Sequence, residues 1–172
     1  VQSTGETGHL AVLEGGEAVY VERVEARRAL RVPSAIGRAY PAHATNLGKV
    51  LLAFQPAGEV ERIVAERGLE GFTPHTITDA ARLDEDLAII RERGFSIDNE
   101  EYDEGLRCIG APVWDHSRNV VAAIGIGGPV TRVTPDRIDK LAALVMDAAR
   151  GLSRRLGAFR PPVPTAAPVR VR

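Results

Sequence analysis

The sequence has one cysteine, one methionine and one tryptophan, and aromatic residues make up only 5% of it. A single cysteine excludes an internal disulfide framework and fits a reducing, cytoplasmic setting. It does not head a metal site either, because His9, His43, His75 and His116 are scattered rather than set at ligand spacing. Neither charge is in excess: 22 Lys and Arg stand against 23 Asp and Glu, a net charge of −1 that gives no global electrostatic case for nucleic acid. No apolar run approaches the length of a membrane span. The N-terminus lacks the basic flank, apolar stretch and cleavage site of a signal peptide. There is no initiator methionine and no internal repeat, and the opening VQSTGETGHLAVLEG reads as part of a longer polypeptide.

What is present suits one ordinary domain. The chain has 172 residues, 44% of them hydrophobic, enough to bury a core. Residues 8–13 and 17–24 read as strands joined by Glu14-Gly15-Gly16, where paired glycines supply a hairpin's positive φ. Residues 30–33 read as a short extended piece and 34–44 as an irregular loop. Thr45 or Asn46 caps a short, mostly apolar helix that Pro56 ends. A second helix stops at Gly68. Thr78 or Asp79 caps a third, with Leu83, Leu87 and Ile90 as its apolar stripe, closed by Gly94. Strands follow at 95–98, 107–114 and 120–126, and Asn119 is expected in a left-handed position between the last two. Thr134-Pro135-Asp136 starts a final helix that runs to about Leu156, with Ile138, Leu141, Leu144, Val145, Leu152 and Leu156 on one side. FRPPVPTAAPVRVR beyond it is Pro-rich and aperiodic. Hairpins at both ends favour an α+β fold, a central antiparallel sheet with flanking helices, over a doubly wound parallel sheet. The expected boundaries are a linker remnant at 1–6, one domain at 7–157 and a disordered tail at 158–172.

Few residues could carry chemistry. The helix starting at Asn46 and Leu47 presents unpaired amides that could hold an anion, or could simply be capped by Thr45. Cys108 could be a nucleophile with His43 as base, a metal ligand, or a small residue on a strand wall; only the last needs no partner. The run Asp98, Asn99, Glu100, Glu101, Asp103, Glu104 reads as a solvated loop, except that Asp98 ends an apolar strand and could face inward. Alternation puts Gly125 and Gly127 on one face, leaving room for a ligand or for a closely approaching helix. The IGIGGP sequence is a poor phosphate loop, because Pro129 prevents a helix from following directly. Arg137, Lys140, Arg150, Arg154 and Arg155 are interspersed with acids, as on a solvated helix face.

Taken together, GHLAVLEGGEAVYVERVE (8–25), PAHATNLGK (41–49), EGLRCIGAPV (104–113) and GGPVTR (127–132) resemble the effector-binding domain of IclR-type bacterial transcriptional regulators. The resemblance runs from about Thr7 to Leu156. It implies a GAF-like sensor fold and no enzymatic activity, cofactor or metal. It also implies assembly as a homodimer or dimer of dimers, and DNA contact only through a separate winged helix-turn-helix. The implied ligand is a small organic or aromatic acid. Carried over by position, its pocket would be lined by Ala29, Val32, Tyr40, Asn46, Leu47, Asp98, Leu106, Cys108, Gly125 and Gly127. Members that bind the smallest oxo-acids tend to carry serine where this chain has Gly125 and Gly127, and smaller residues at Asn46 and Leu47. A larger or more aromatic acid is therefore expected. The competing expectations are a small enzyme using Cys108 and a ligand-free GAF-like dimerisation module.

Overall fold

The computed structural model describes residues 1–28 and 34–158. The extended piece expected at 30–33, the pocket positions Ala29 and Val32, and the tail from 159 onward lie outside the described residues. Six strands form one antiparallel sheet: β1 (Thr7–Glu14), β2 (Glu17–Val24), β3 (Ala39–Pro41), β4 (Ser96–Asn99), β5 (Leu106–Trp114) and β6 (Val120–Pro129). Their spatial order is β3-β2-β1-β6-β5-β4, so the two hairpin ends of the sequence meet where β1 pairs with β6. Four helices accompany it: α1 (Asn46–Ala53), α2 (Glu59–Arg67), α3 (Ala80–Arg93) and α4 (Ile138–Arg155).

Period-two alternation divides the core between the two faces of the sheet. Ala11, Ala18, Tyr20 and Ala123 pack with the buried faces of α1 and α3. Ile97, Ile109, Ala111, Val113 and Ile126 pack with α4. The α+β reading with an antiparallel sheet is what the structure has, and the caps follow the sequence. Thr45 Oγ1 accepts from the Gly48 amide, Asp79 accepts from that of Arg82, and Gly94 closes α3 at φ +79°.

Several local expectations need correction. The supposed irregular loop contains β3 and a 3-10 turn at Ala42–Ala44, because Ala39–Pro41 pairs with Glu17–Val19 of β2. Arg118, not Asn119, takes the left-handed φ of +65°. Asp115 instead organises that turn, its carboxylate accepting from the Ser117 and Asn119 amides. Thr134-Pro135 opens a 3-10 turn before α4, whose buried side is Ile138, Leu141, Ala142, Val145, Ala149 and Ser153. Leu144 and Leu152 lie off that line and Leu156 is exposed, because a helix packed flat on a sheet buries only a narrow stripe. Glu6, on the linker side of the expected boundary, is buried in a two-pronged ion pair with Arg132.

The 3-10 turn and α1 meet at very short range. A Cβ on Gly48 would lie 2.3 Å from both the Cα and the carbonyl oxygen of Ala42. Those are backbone atoms and cannot rotate away. Gly48→Ala should therefore destabilise the domain by about 1–3 kcal/mol, read from urea unfolding midpoints. Wild-type stability in that variant would mean that the turn and helix are less closely packed than described here.

Candidate functional site

Three strand positions and one helix start converge on the α1 face of the sheet. In register, Asp98 of β4 lies opposite Cys108 of β5, and Cys108 opposite Gly127 of β6. The β3–3-10–α1 connection brings Tyr40, Thr45 and Asn46 over them. Ser96 Oγ, buried on β4, donates to the Asn46 carbonyl at 2.6 Å and ties the helix start to the sheet. Tyr40, Asn46, Asp98, Leu106 and Cys108, five of the residues expected from sequence, line one small cavity of about 30 Å³. That holds no more than a water or two.

The other expected residues stand differently. Leu47 is fully buried and packs above Gly125 without lining the cavity. Gly127 neighbours Cys108 across the ladder but does not line the cavity. Gly125 leaves no void. A Cβ there would lie 2.5 Å from the Ile109 carbonyl oxygen, 2.6 Å from the Asn46 carboxamide nitrogen and 2.8 Å from a Leu47 methyl. The space the sequence reading assigned to a larger ligand is filled by the bulkier residues of the helix start. Of the two meanings left open for that glycine, close approach of α1 is the one realised.

Sequence reasoning missed Tyr20, Ser34, Thr45, Tyr102 and Asp103, which also line the cavity among the described residues. Tyr20 was within reach, since alternation puts it on the same face as Ala18. The others sit on aperiodic segments and give no such signal. Three tyrosines form a continuous aromatic wall. Tyr20 and Tyr40 have ring centroids 4.5 Å apart, and Tyr40 meets Tyr102 edge-on at 5.8 Å. His9 extends it, 5.2 Å from Tyr20, with its ring Nε2 2.7 Å from Ser34 Oγ.

The electrostatics keep this wall neutral. Burial pushes the Cys108 thiol well up, and the nearby Asp98 adds to it, so the sulfur is held as a thiol. Burial does the same to the Tyr20 phenol. The Asp98 carboxyl is pushed up to about 7, first by burial and then by Glu101. Its Oδ1 accepts from the Glu101 amide at 2.8 Å. His43 Nε2 donates to the Glu70 carbonyl, 2.9 Å away, and is not among the residues lining the cavity with Cys108. The arrangement can hold a small polar molecule by hydrogen bonds; it does not generate a thiolate nucleophile.

Behind the cavity lies a buried ion cluster. Lys49 is 1% exposed, and its Nζ is 2.6 Å from Glu101 Oε1 and 2.9 Å from Asp86 Oδ2. Burial would lower the ammonium's pKa, but the two carboxylates more than offset it and hold it above its ordinary value. Glu101 is therefore not part of a solvated loop, as its acidic run suggested. Its partner Lys49 stands 52 positions away in sequence, on α1, beyond the reach of any local pattern.

A second, larger hollow of about 680 Å³ opens on the opposite face, between β1, β2, β6 and α4. Leu10, Val24, Ile124, Leu144 and Leu152 make it mainly apolar. Apart from Gly125, none of the expected pocket residues among those described reaches it. No group of three or more His, Cys, Asp or Glu is placed to hold a metal among the described residues.

Residues 1–154 match the protein family described as the bacterial transcriptional regulator IclR C-terminal domain. The chain is 42% identical over 154 residues to the transcriptional repressor AllR of Klebsiella pneumoniae, covering 90% of this chain and 57% of that protein. Among solved structures, the IclR protein of Thermotoga maritima superposes with a TM-score of 0.86 at 35% identity, over 91% of this chain and 63% of that one. The inducer-binding domain of the PobR transcription factor from Acinetobacter, a double mutant in complex with 3-hydroxybenzoic acid, superposes with a TM-score of 0.80 at 30% identity, over 88% and 90% of the two chains. The chain thus spans somewhat over half the length of the repressor it resembles.

Proposed function

Since the chain belongs to the IclR family of bacterial transcriptional regulators, as its C-terminal domain, we propose that it is a sensor for a small organic acid. The observation that carries this reading is the convergence of Tyr40, Asn46, Asp98, Leu106 and Cys108 on one small cavity at the start of a helix. The amides of a helix's first turn have no intrahelical acceptors and carry partial positive charge, so a carboxylate is favoured there. Asp98, whose carboxyl is pushed up to about 7, is partly protonated near neutral pH and can donate to or accept from a group on the same ligand. The tyrosines enclose its apolar part.

Effector binding would act on a separate winged helix-turn-helix by shifting the balance between two arrangements of a homodimer or dimer of dimers. Only unequal affinity for those arrangements can do so. The cavity is small, about 30 Å³, so compact acids need the least rearrangement of its wall. The room that the sequence assigned to a larger ligand at Gly125 is occupied, which supports a compact acid instead. A cytoplasmic location accords with this role, and no described helix is long and apolar enough to cross a membrane.

A thermal-shift screen of carboxylic acids, with calorimetry on those that respond, tests the reading. Saturable stabilisation is expected, about 2.7 kcal/mol at a hundredfold excess over Kd. If no acid shifts the transition, the sensor role fails and a ligand-free dimerisation module takes its place. Cys108→Ser should keep most of the affinity, because the neutral sulfur serves as wall. Complete loss of a substrate turnover in that variant would instead establish an enzyme.

A further inference from the structure

We infer that Thr76 is the positioning residue for a section of the cavity wall that stands free of the sheet, the loop at 100–105, and so sets which acids the cavity admits. The inference rests on the sensor reading above and concerns entry to the same cavity. A volume of about 30 Å³ takes a water or two, so an organic acid enters only as part of the wall moves aside. Tyr20, Tyr40, Asp98, Leu106 and Cys108 stand on strands, and Asn46 with its cap Thr45 opens α1. Tyr102 and Asp103 lie instead on the loop between β4 and β5, outside the strand ladder.

Two threonines fasten that loop to the connector between α2 and α3. Thr76, which is buried, donates its hydroxyl to the Glu101 carbonyl at 2.6 Å, and Thr73 donates to the Glu100 carbonyl at 2.6 Å. Thr76 Oγ1 also accepts from the Phe72 and Thr73 amides, at 3.0 and 2.9 Å. One buried hydroxyl therefore orders the connector and holds the loop. The contact continues through side chains, because the Phe72 ring on the connector lies 5.1 Å from that of Tyr102. Glu100 is kept at a left-handed φ of +63°, a conformation that a non-glycine residue holds only where its surroundings impose it. The Lys49–Glu101 ion pair pins the Glu101 side chain, so the part of the loop free to swing begins at Tyr102. Releasing the Glu101 carbonyl from Thr76 lets that part move outward with Tyr102 and Asp103, and the cavity widens.

Thr76→Val removes the hydroxyl and Thr76→Ser retains it. Amide hydrogen exchange of the ligand-free 172-residue chain is the first readout. Residues 100–106 should exchange about tenfold faster in Thr76→Val than in wild type, with the β5–β6 turn at 115–119 unchanged, and Thr76→Ser should keep wild-type rates. Calorimetric titration with pyruvate and with benzoate is the second. The ratio of benzoate to pyruvate affinity should rise about threefold in Thr76→Val and stay at its wild-type value in Thr76→Ser. Unchanged exchange at 100–106, or faster exchange throughout the chain, overturns the inference, since the hydroxyl would then be an ordinary part of the fold. An unchanged affinity ratio also overturns it and leaves the sensor reading standing. Should Thr76→Val not fold, Thr73→Val, which releases the Glu100 carbonyl, is judged by the same criteria. Binding of neither acid by wild type and variant overturns the inference, and silence across the whole carboxylic-acid screen overturns the sensor reading with it.

Discussion

Lys49→Ala is expected to destabilise the domain by about 3–5 kcal/mol, the usual cost of removing one partner from a buried ion cluster. The ammonium is 1% exposed and lies between Glu101 and Asp86. Glu101 is itself buried, and its second oxygen, Oε2, is already without a hydrogen-bond partner. Without Lys49, the pocket-side carboxylates Asp98 and Glu101 would face each other and Asp86 uncompensated. They would protonate or drag water inward, and burial already pushes the Glu101 carboxyl up from its ordinary range. Urea unfolding at pH 7.5 gives the measurement, with an unchanged m-value marking a true stability effect. A loss below about 1 kcal/mol would mean that the cluster is effectively solvated, as an exposed pair would be. Lys49→Met combined with Glu101→Gln should recover much of the loss, since the pair costs desolvation as well as contributing attraction.

The second large effect has the opposite sign. Asp98→Asn should stabilise the ligand-free domain above neutral pH by up to about 4 kcal/mol. The Asp98 pKa is raised from 3.8 to about 7 in the folded chain. A group that titrates near 4 unfolded and near 7 folded makes the folded state bind the extra proton between those values. Stability therefore falls as pH rises from about 4 to 7, and the whole penalty stands above 7. Each unit of the shift corresponds to about 1.4 kcal/mol, which sets the upper limit quoted. Asparagine keeps the oxygen that accepts from the Glu101 amide and removes the charge. The gap between the two proteins in thermal melts should be modest at pH 5, where only the unfolded carboxyl is ionised, and widen to its full size at pH 8. Parallel curves would mean that Asp98 is ionised without penalty in the folded chain. A carboxyl kept at such a cost inside a cavity is the pattern expected of a binding group rather than of a core residue.

The parts legible in the sequence were those carried by local pattern. Thr45, Asp79 and Gly94 mark helix ends by their own chemistry, and each does so here. The apolar runs at 8–13 and 107–114 read as strands, and both are strands here. Strand β3 was missed because three residues carry too short a pattern; only its pairing with β2 makes it a strand. Asp98 was suspected as an inward carboxylate because it ends an apolar run, and the fold does bury it. Glu101, three residues on, gave no such sign, since its burial depends on a lysine from a different helix.

By itself, then, the sequence determined the class of fold, the sheet's two faces, most helix boundaries and the set of residues worth examining. Those follow from interactions between near neighbours, whose spacing is written in the chain. Tertiary structure alone decided what the glycines of β6 mean. Spacing told that Gly125 lacks a side chain where others point inward. Whether that gap holds a ligand or another part of the protein depends on how far α1 descends onto the sheet. That distance is set by Gly48 against Ala42 and by Ser96 on the Asn46 carbonyl, contacts between elements far apart in sequence. The same approach leaves a cavity of about 30 Å³ with Asn46 in its wall.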